Sequence, residues 1–148
     1  VNLIINCGLN TFTIATNRIF GVTTTTPTLT YTSGTVVVSG VITFYTCTLA
    51  TNGIIWSDVR MGASSIVDQT ITLTNNMSIT TSLQLRGNGN CTVNGNQINL
   101  SGSLIQASTA STAGTTIINM NGTGSISTSG TPVGWTNPIT IKMGGSNS

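Results

Sequence analysis

Few residues in this chain can do chemistry. Its only carboxylate side chains are Asp58 and Asp68, and it has neither glutamate nor histidine. The basic side chains are Arg18, Arg60, Arg86 and Lys142, and the thiols are Cys7, Cys47 and Cys91. Two carboxyl groups are the minimum for most glycoside hydrolysis, which sets them about 5–9.5 Å apart. Asp58 is expected instead to pair with Arg60, two positions along one strand face, for less than about 1 kcal/mol if exposed. Asp68, just before Gln69, reads as a corner residue. No histidine is available to activate Cys7, Cys47 or Cys91 as a nucleophile. The cysteines fit no C-x-x-C spacing, which leaves no structural zinc site. They read as small buried apolar side chains, with one disulfide and an odd thiol as the alternative. Gly87–Asn88–Gly89 lacks a following Lys-Ser/Thr, so it is not a phosphate-binding loop. No catalytic residue, cofactor or metal ligand is predicted.

The remaining candidates concern binding. A net charge of +2 rests on four cations scattered along the chain, whereas phosphate backbones need a cluster. Nucleic acid is therefore not an expected partner. Trp56, Trp135, Tyr31 and Tyr45 can stack on sugars, but Trp56 follows Ile54–Ile55 and Tyr45 lies in an apolar run, where packing is the simpler role. Trp135, between Gly134 and Asn137–Pro138, is the best candidate for a glycan contact, set against packing over the end of the fold. Asn-x-Ser/Thr sequons occur at Asn76, Asn90, Asn99 and Asn121. They are N-glycosylation candidates, although so many Asn, Ser and Thr produce sequons by chance. The segment Val1–Asn6 is uncharged and apolar at Val1, Leu3, Ile4 and Ile5. It can cap the fold or add as a strand to a neighbour.

The elements around these residues are strands. The 148 residues suit one domain, 1–148, either whole or a segment of a longer fibre protein. Hydrophobic residues make up 38% and charged residues 4%, which excludes general disorder and leaves little repulsion between copies. The hydroxyl-rich run Thr23–Thr24–Thr25–Thr26–Pro27 argues against a membrane span in the long uncharged stretch from Ile19 to Ser57. Thr, Val and Ile dominate, and their branched side chains prefer strands. Strands are expected at Val1–Asn6, Thr11–Thr16, Thr28–Thr32, Thr35–Ser39, Val41–Leu49, Ile54–Val59, Ile66–Leu73 and Met77–Leu85. Shorter ones follow at Cys91–Val93, Gln97–Leu100, Ser103–Gln106, Thr115–Asn119, Gly124–Thr128 and Ile139–Met143. Thr70–Thr74 and Ser82–Arg86 alternate, with apolar groups on one face. Asn-Gly corners fall at Asn52–Gly53, Asn88–Gly89, Asn94–Gly95 and Asn121–Gly122.

Between Leu83 and Leu104 the apolar runs are three or four residues long with polar corners between them, as in the rungs of a solenoid. Similar units recur loosely about every 18–27 residues. For example, Leu100-Ser-Gly-Ser-Leu-Ile105 is echoed by Met120-Asn-Gly-Thr-Gly-Ser-Ile126. The runs Leu83–Gly102 and Met120–Gly130 resemble the parallel β-helix segments of viral and phage fibres and bacterial surface adhesins. The resemblance covers residues 66–143. The longer apolar strands of the first 60 residues fit an antiparallel sandwich equally well.

The fold class expected is all-β, a right-handed parallel β-helix (β-solenoid), with an antiparallel β-sandwich or jelly roll as the alternative. The resemblance implies a structural or adhesive component of an extracellular or virion-surface assembly. The alternatives are a donor-strand-linked filament subunit and a polysaccharide-binding or -processing tailspike segment. Expected partners are further copies or other structural subunits, with a surface glycan as a candidate.

Overall fold

The structure is a computed structural model that describes residues 3–15, 17–21, 26–62, 69–86, 89–92, 96–107, 116–129 and 139–144. Among these residues there is no helix and every strand pairing is parallel. The strands are β1 (Leu3–Ile14), β2 (Arg18–Phe20), β3 (Thr28–Val38), β4 (Val41–Phe44), β5 (Cys47–Ala50), β6 (Ile55–Met61) and β7 (Gln69–Leu73). They continue as β8 (Met77–Leu85), β9 (Gly89–Thr92), β10 (Ile98–Leu100), β11 (Ser103–Ala107), β12 (Thr116–Met120), β13 (Ile126–Ser129) and β14 (Ile139–Met143).

Their pairings build three faces of a parallel β-solenoid, with about four turns in its packed body. One face stacks the starts of β1 and β3, then β5, β7 and β9. The second stacks the ends of β1 and β3, the start of β6, the start of β8, then β10, β12 and β14. The third stacks β2, β4, the end of β6, the end of β8, β11 and β13. The antiparallel alternative fails even for the first 60 residues, because β1 runs parallel to β3 and β2 to β4. The expected strands Val1–Asn6 and Thr11–Thr16 fall within the single strand β1, and Thr28–Thr32 and Thr35–Ser39 within β3, because β1 and β3 each continue from one face onto the next.

Alternation fills the interior with columns of like residues. Leu3, Leu29, Leu49 and Leu73 stack on the first face. Trp56, Ile79, Leu100, Met120 and Met143 stack on the second. Ile42, Val59, Leu83, Leu104 and Ile126 stack on the third. Cys47 and Ile71 share a further column. Each central member is fully buried, and burying one such side chain is worth about 1.5–3 kcal/mol.

Outside, polar columns satisfy one another across layers. Asn119 Nδ2 donates to Asn99 Oδ1 at 3.2 Å, Ser101 Oγ to Asn121 Oδ1 at 3.2 Å, and the Ser103 and Ser125 hydroxyls meet at 3.3 Å. Asparagines also hold corners. Asn75 Oδ1 accepts the backbone N–H groups of Thr51 and Asn52 at 2.9 and 3.0 Å, and Asn76 Oδ1 accepts that of Gln97 at 3.0 Å.

The echo between Leu100–Ile105 and Met120–Ile126 is a rung repeat: Leu100 pairs with Met120 and Leu104 with Ile126. The glycines at this corner are sterically required. A side chain at Gly102 would overlap the Thr81 carbonyl below, and one at Gly124 would overlap the Gly102 carbonyl.

Two further boundaries differ from expectation. The Val41–Leu49 run breaks at Tyr45–Thr46, where the chain turns from the third face to the first. Strand β2 carries Arg18 at its first position and has no apolar run to announce it.

Candidate functional site

Of the two acids, Asp58 lies among the described residues. Asp58 points outward beside buried Val59, with half-buried Ser57 and Arg60 as its neighbours. Its Oδ1 accepts a 2.6 Å hydrogen bond from Ser82 Oγ in the next layer, and its Oδ2 a 3.1 Å bond from Ser57 Oγ. The expected ion pair with Arg60 is not made. The parallel register sets Ser82 beside Asp58, a nearer partner than a side chain two positions along the same strand. Asp68 lies outside the described residues.

The feature that gathers the most distinctive chemistry is the open end of the solenoid at β1 and β2. Here the interior columns have no layer beneath them among the described residues. A cavity of about 400 Å³ opens at this end. Its walls are Leu3, Ile5, Phe12, Ile14, Phe20 and Ile42, with Arg18 and Ile19 at β2 and Trp56 deeper in the stack. Arg18 heads the inward column that continues through Ile42 and Val59. It is exposed, and its Nη1 donates to the Asn17 carbonyl at 3.2 Å.

Trp56 is fully buried and meets the Phe44 ring edge-on, with centroids 5.4 Å apart. Its indole Nε1 has no hydrogen-bond partner, alone among the buried side-chain polar atoms of the described residues. The reading of Trp56 as a packing residue is correct. Tyr31 is half-buried, and its hydroxyl donates to the Gly34 carbonyl at 2.7 Å.

The other sequence candidates are dispersed. Val1, Trp135 and the side chains of Asn90 and Cys91 lie outside the described residues. Asn76 and Asn121 are exposed, while Asn99 is half-buried within the polar column. Leu3, Ile4 and Ile5 belong to β1 and pair with Leu29, Thr30 and Tyr31 of β3, so one edge of this strand is engaged within the chain. Cys47 is buried and Cys7 half-buried. No group of metal-ligating side chains occurs among the described residues. No helix among them is long and apolar enough to cross a membrane.

Sequence reasoning missed the open end. Its walls come from residues scattered between Leu3 and Trp56, and only the stacking brings them together. The local signal, apolar residues flanking an isolated Arg18, says nothing until the layers are aligned. The chain matches no protein-family model, no curated protein and no solved structure.

Proposed function

We propose that this chain is a structural and adhesive component of an extracellular or virion-surface assembly, such as a fibre, spike or adhesin, with no catalytic activity of its own. The observation that carries this reading is the stack itself. Strands with few charges lie layer on layer, with apolar columns inside and Asn, Ser and Thr columns outside. A body held by backbone ladders and regular packing needs no ion pairs, and it presents a long, chemically inert surface. Its partners are further copies or other structural subunits, with a surface glycan contacted through Trp135. A donor-strand filament subunit gains no support from a parallel fold.

Immunogold labelling of the particles or cells that make the protein tests the reading. Label on the outer surface is the expected result. Label confined to the interior overturns it, and so does release of reducing sugar when the purified chain is incubated with polysaccharide.

A further inference from the structure

We infer that the outer side of the first face binds ice, through a fixed array of threonine hydroxyls and methyls on β3, β5 and β7. The inference goes beyond the assembly reading above and does not depend on it.

The array follows from the register. Thr28 pairs with Thr48, and Thr48 with Thr72, which makes one outward column. Thr30 pairs with Ala50, and Thr74 follows in the next layer, where its N–H and its hydroxyl both donate to the Leu49 carbonyl. Thr46 and Thr70 flank the first column on its other side, and Thr46 Oγ1 accepts the Thr70 N–H at 3.3 Å. Threonine thus fills every one of these positions except that of Ala50. The other faces have no such uniformity. On the third face, Val41, Asp58 and Ser82 share an outward column and Arg60 is followed by Gln84. On the second, Val37, Ile55 and Ser78 follow one another.

The array is well supported from below and from the sides. Leu29, Leu49, Leu73, Cys47 and Ile71 alternate with its members and are buried. β3 has β1 as a further neighbour and β7 has β9, so the array lies within the stack. Threonine is branched at Cβ and stiff at χ1, which fixes where each methyl and hydroxyl stands. The pattern repeats about every 4.8 Å along the solenoid and about every 6.6 Å along each strand, which is twice the rise per residue.

Such a surface suits an uncharged partner that is itself periodic in two directions. These positions carry no charge, no amide and no aromatic ring, so a sugar chain finds neither a stacking platform nor a bidentate partner. A second copy finds too little area. The array covers about 300 Å² at these spacings, and twice that falls short of the about 1,000 Å² of a specific interface. Ice meets the requirement, because its surfaces repeat oxygen positions at distances close to both spacings. Each threonine offers a hydroxyl that donates and accepts within a water lattice, beside a methyl that orders the water around it. The side chains are already fixed, so little ordering remains to be done on contact.

The test uses the whole chain. When ice grows slowly from a dilute solution, the wild type should enter the ice fraction while lysozyme stays in the liquid. Single crystals should become faceted, and the freezing point should fall below the melting point. Thr48→Tyr, at the centre of the array, should lose both effects. Thr72→Val, which keeps the shape and removes one hydroxyl, should narrow the freezing–melting gap, and it serves where the first variant does not fold. Ser127→Tyr, on the exposed outer side of the third face, should keep both effects.

A wild type that stays in the liquid overturns the proposal. So does a loss that Ser127→Tyr shares, or one that folded Thr48→Tyr and Thr72→Val both escape. Thr48-dependent binding to powdered cellulose or chitin without ice binding overturns it in favour of a polysaccharide. A Thr48-dependent dimer by sedimentation without ice binding overturns it in favour of a second copy. Surface labelling is read separately, since an interior label sinks the assembly role and leaves the ice result standing.

Discussion

Leu3 and Leu83 are the same residue at the same kind of position, an inward-facing site on a parallel strand. Leu83 lies between Val59 and Leu104 and is fully buried. Leu3 has Leu29 on one side only and is 45% exposed. The difference lies in the neighbours, not in the side chains. In a stack of layers each residue draws its burial from the layer above and the layer below, so stability is close to a sum of nearest-neighbour terms. Among the described residues, β3 to β8 and β10 to β12 have a strand on each side. The end layers have one.

The contrast can be broken most directly by truncation. Leu83→Ala should cost about 2–5 kcal/mol, the range for a buried leucine that leaves a cavity. Leu3→Ala should cost less than about 1 kcal/mol, since much of that side chain already meets water. Urea unfolding of both variants measures the gap, and equal losses would mean that the first layer is covered in solution.

Smaller effects sharpen the picture on the outer face. Asp58→Ala leaves the Ser82 hydroxyl without its 2.6 Å acceptor, which should cost about 1–2 kcal/mol. Arg60→Ala, two positions away, should lie within about 0.5 kcal/mol of wild type. A double variant whose loss falls short of the sum of the two would restore the ion pair that the geometry denies.

The smallest effect concerns Trp56. Trp56→Phe gives up part of the contact with Phe44 but also removes a buried N–H with no partner, whose burial costs about 1–3 kcal/mol. The two terms oppose, so thermal denaturation should place this variant within about 1 kcal/mol of wild type. A larger loss would show that the indole N–H finds a partner in solution.

Much of the fold is legible in the sequence, and its limits have physical causes. Short apolar runs with polar corners between Leu83 and Leu104 give the solenoid, and the paired echoes around Gly102 and Gly124 give one rung of its register. Register elsewhere is harder because the rungs are unequal. Among the paired residues the shortest step runs from Ile42 to Val59 and the longest from Asn6 to Ser33. A variable step blurs any fixed period, and this is why the first 60 residues read as a sandwich. Strand β2 went unseen because three residues headed by Arg18 carry no pattern of their own. Parallel pairing to Ile42–Phe44 is what makes them a strand. The candidate site was the least legible, since an open end is a property of the stack and of no single segment.

The placement of the cysteines carries a further consequence. Cys7 lies in β1, Cys47 in β5 and Cys91 in β9, and on the first face β3 separates the first two while β7 separates the last two. Cysteines two layers apart sit about 9.6 Å from one another along the axis at a strand spacing of about 4.8 Å. A disulfide needs its Cα atoms within about 7 Å. No two cysteines of one chain can therefore join without dismantling a layer. Within one chain the layers therefore keep the cysteines apart in reducing and oxidising surroundings alike.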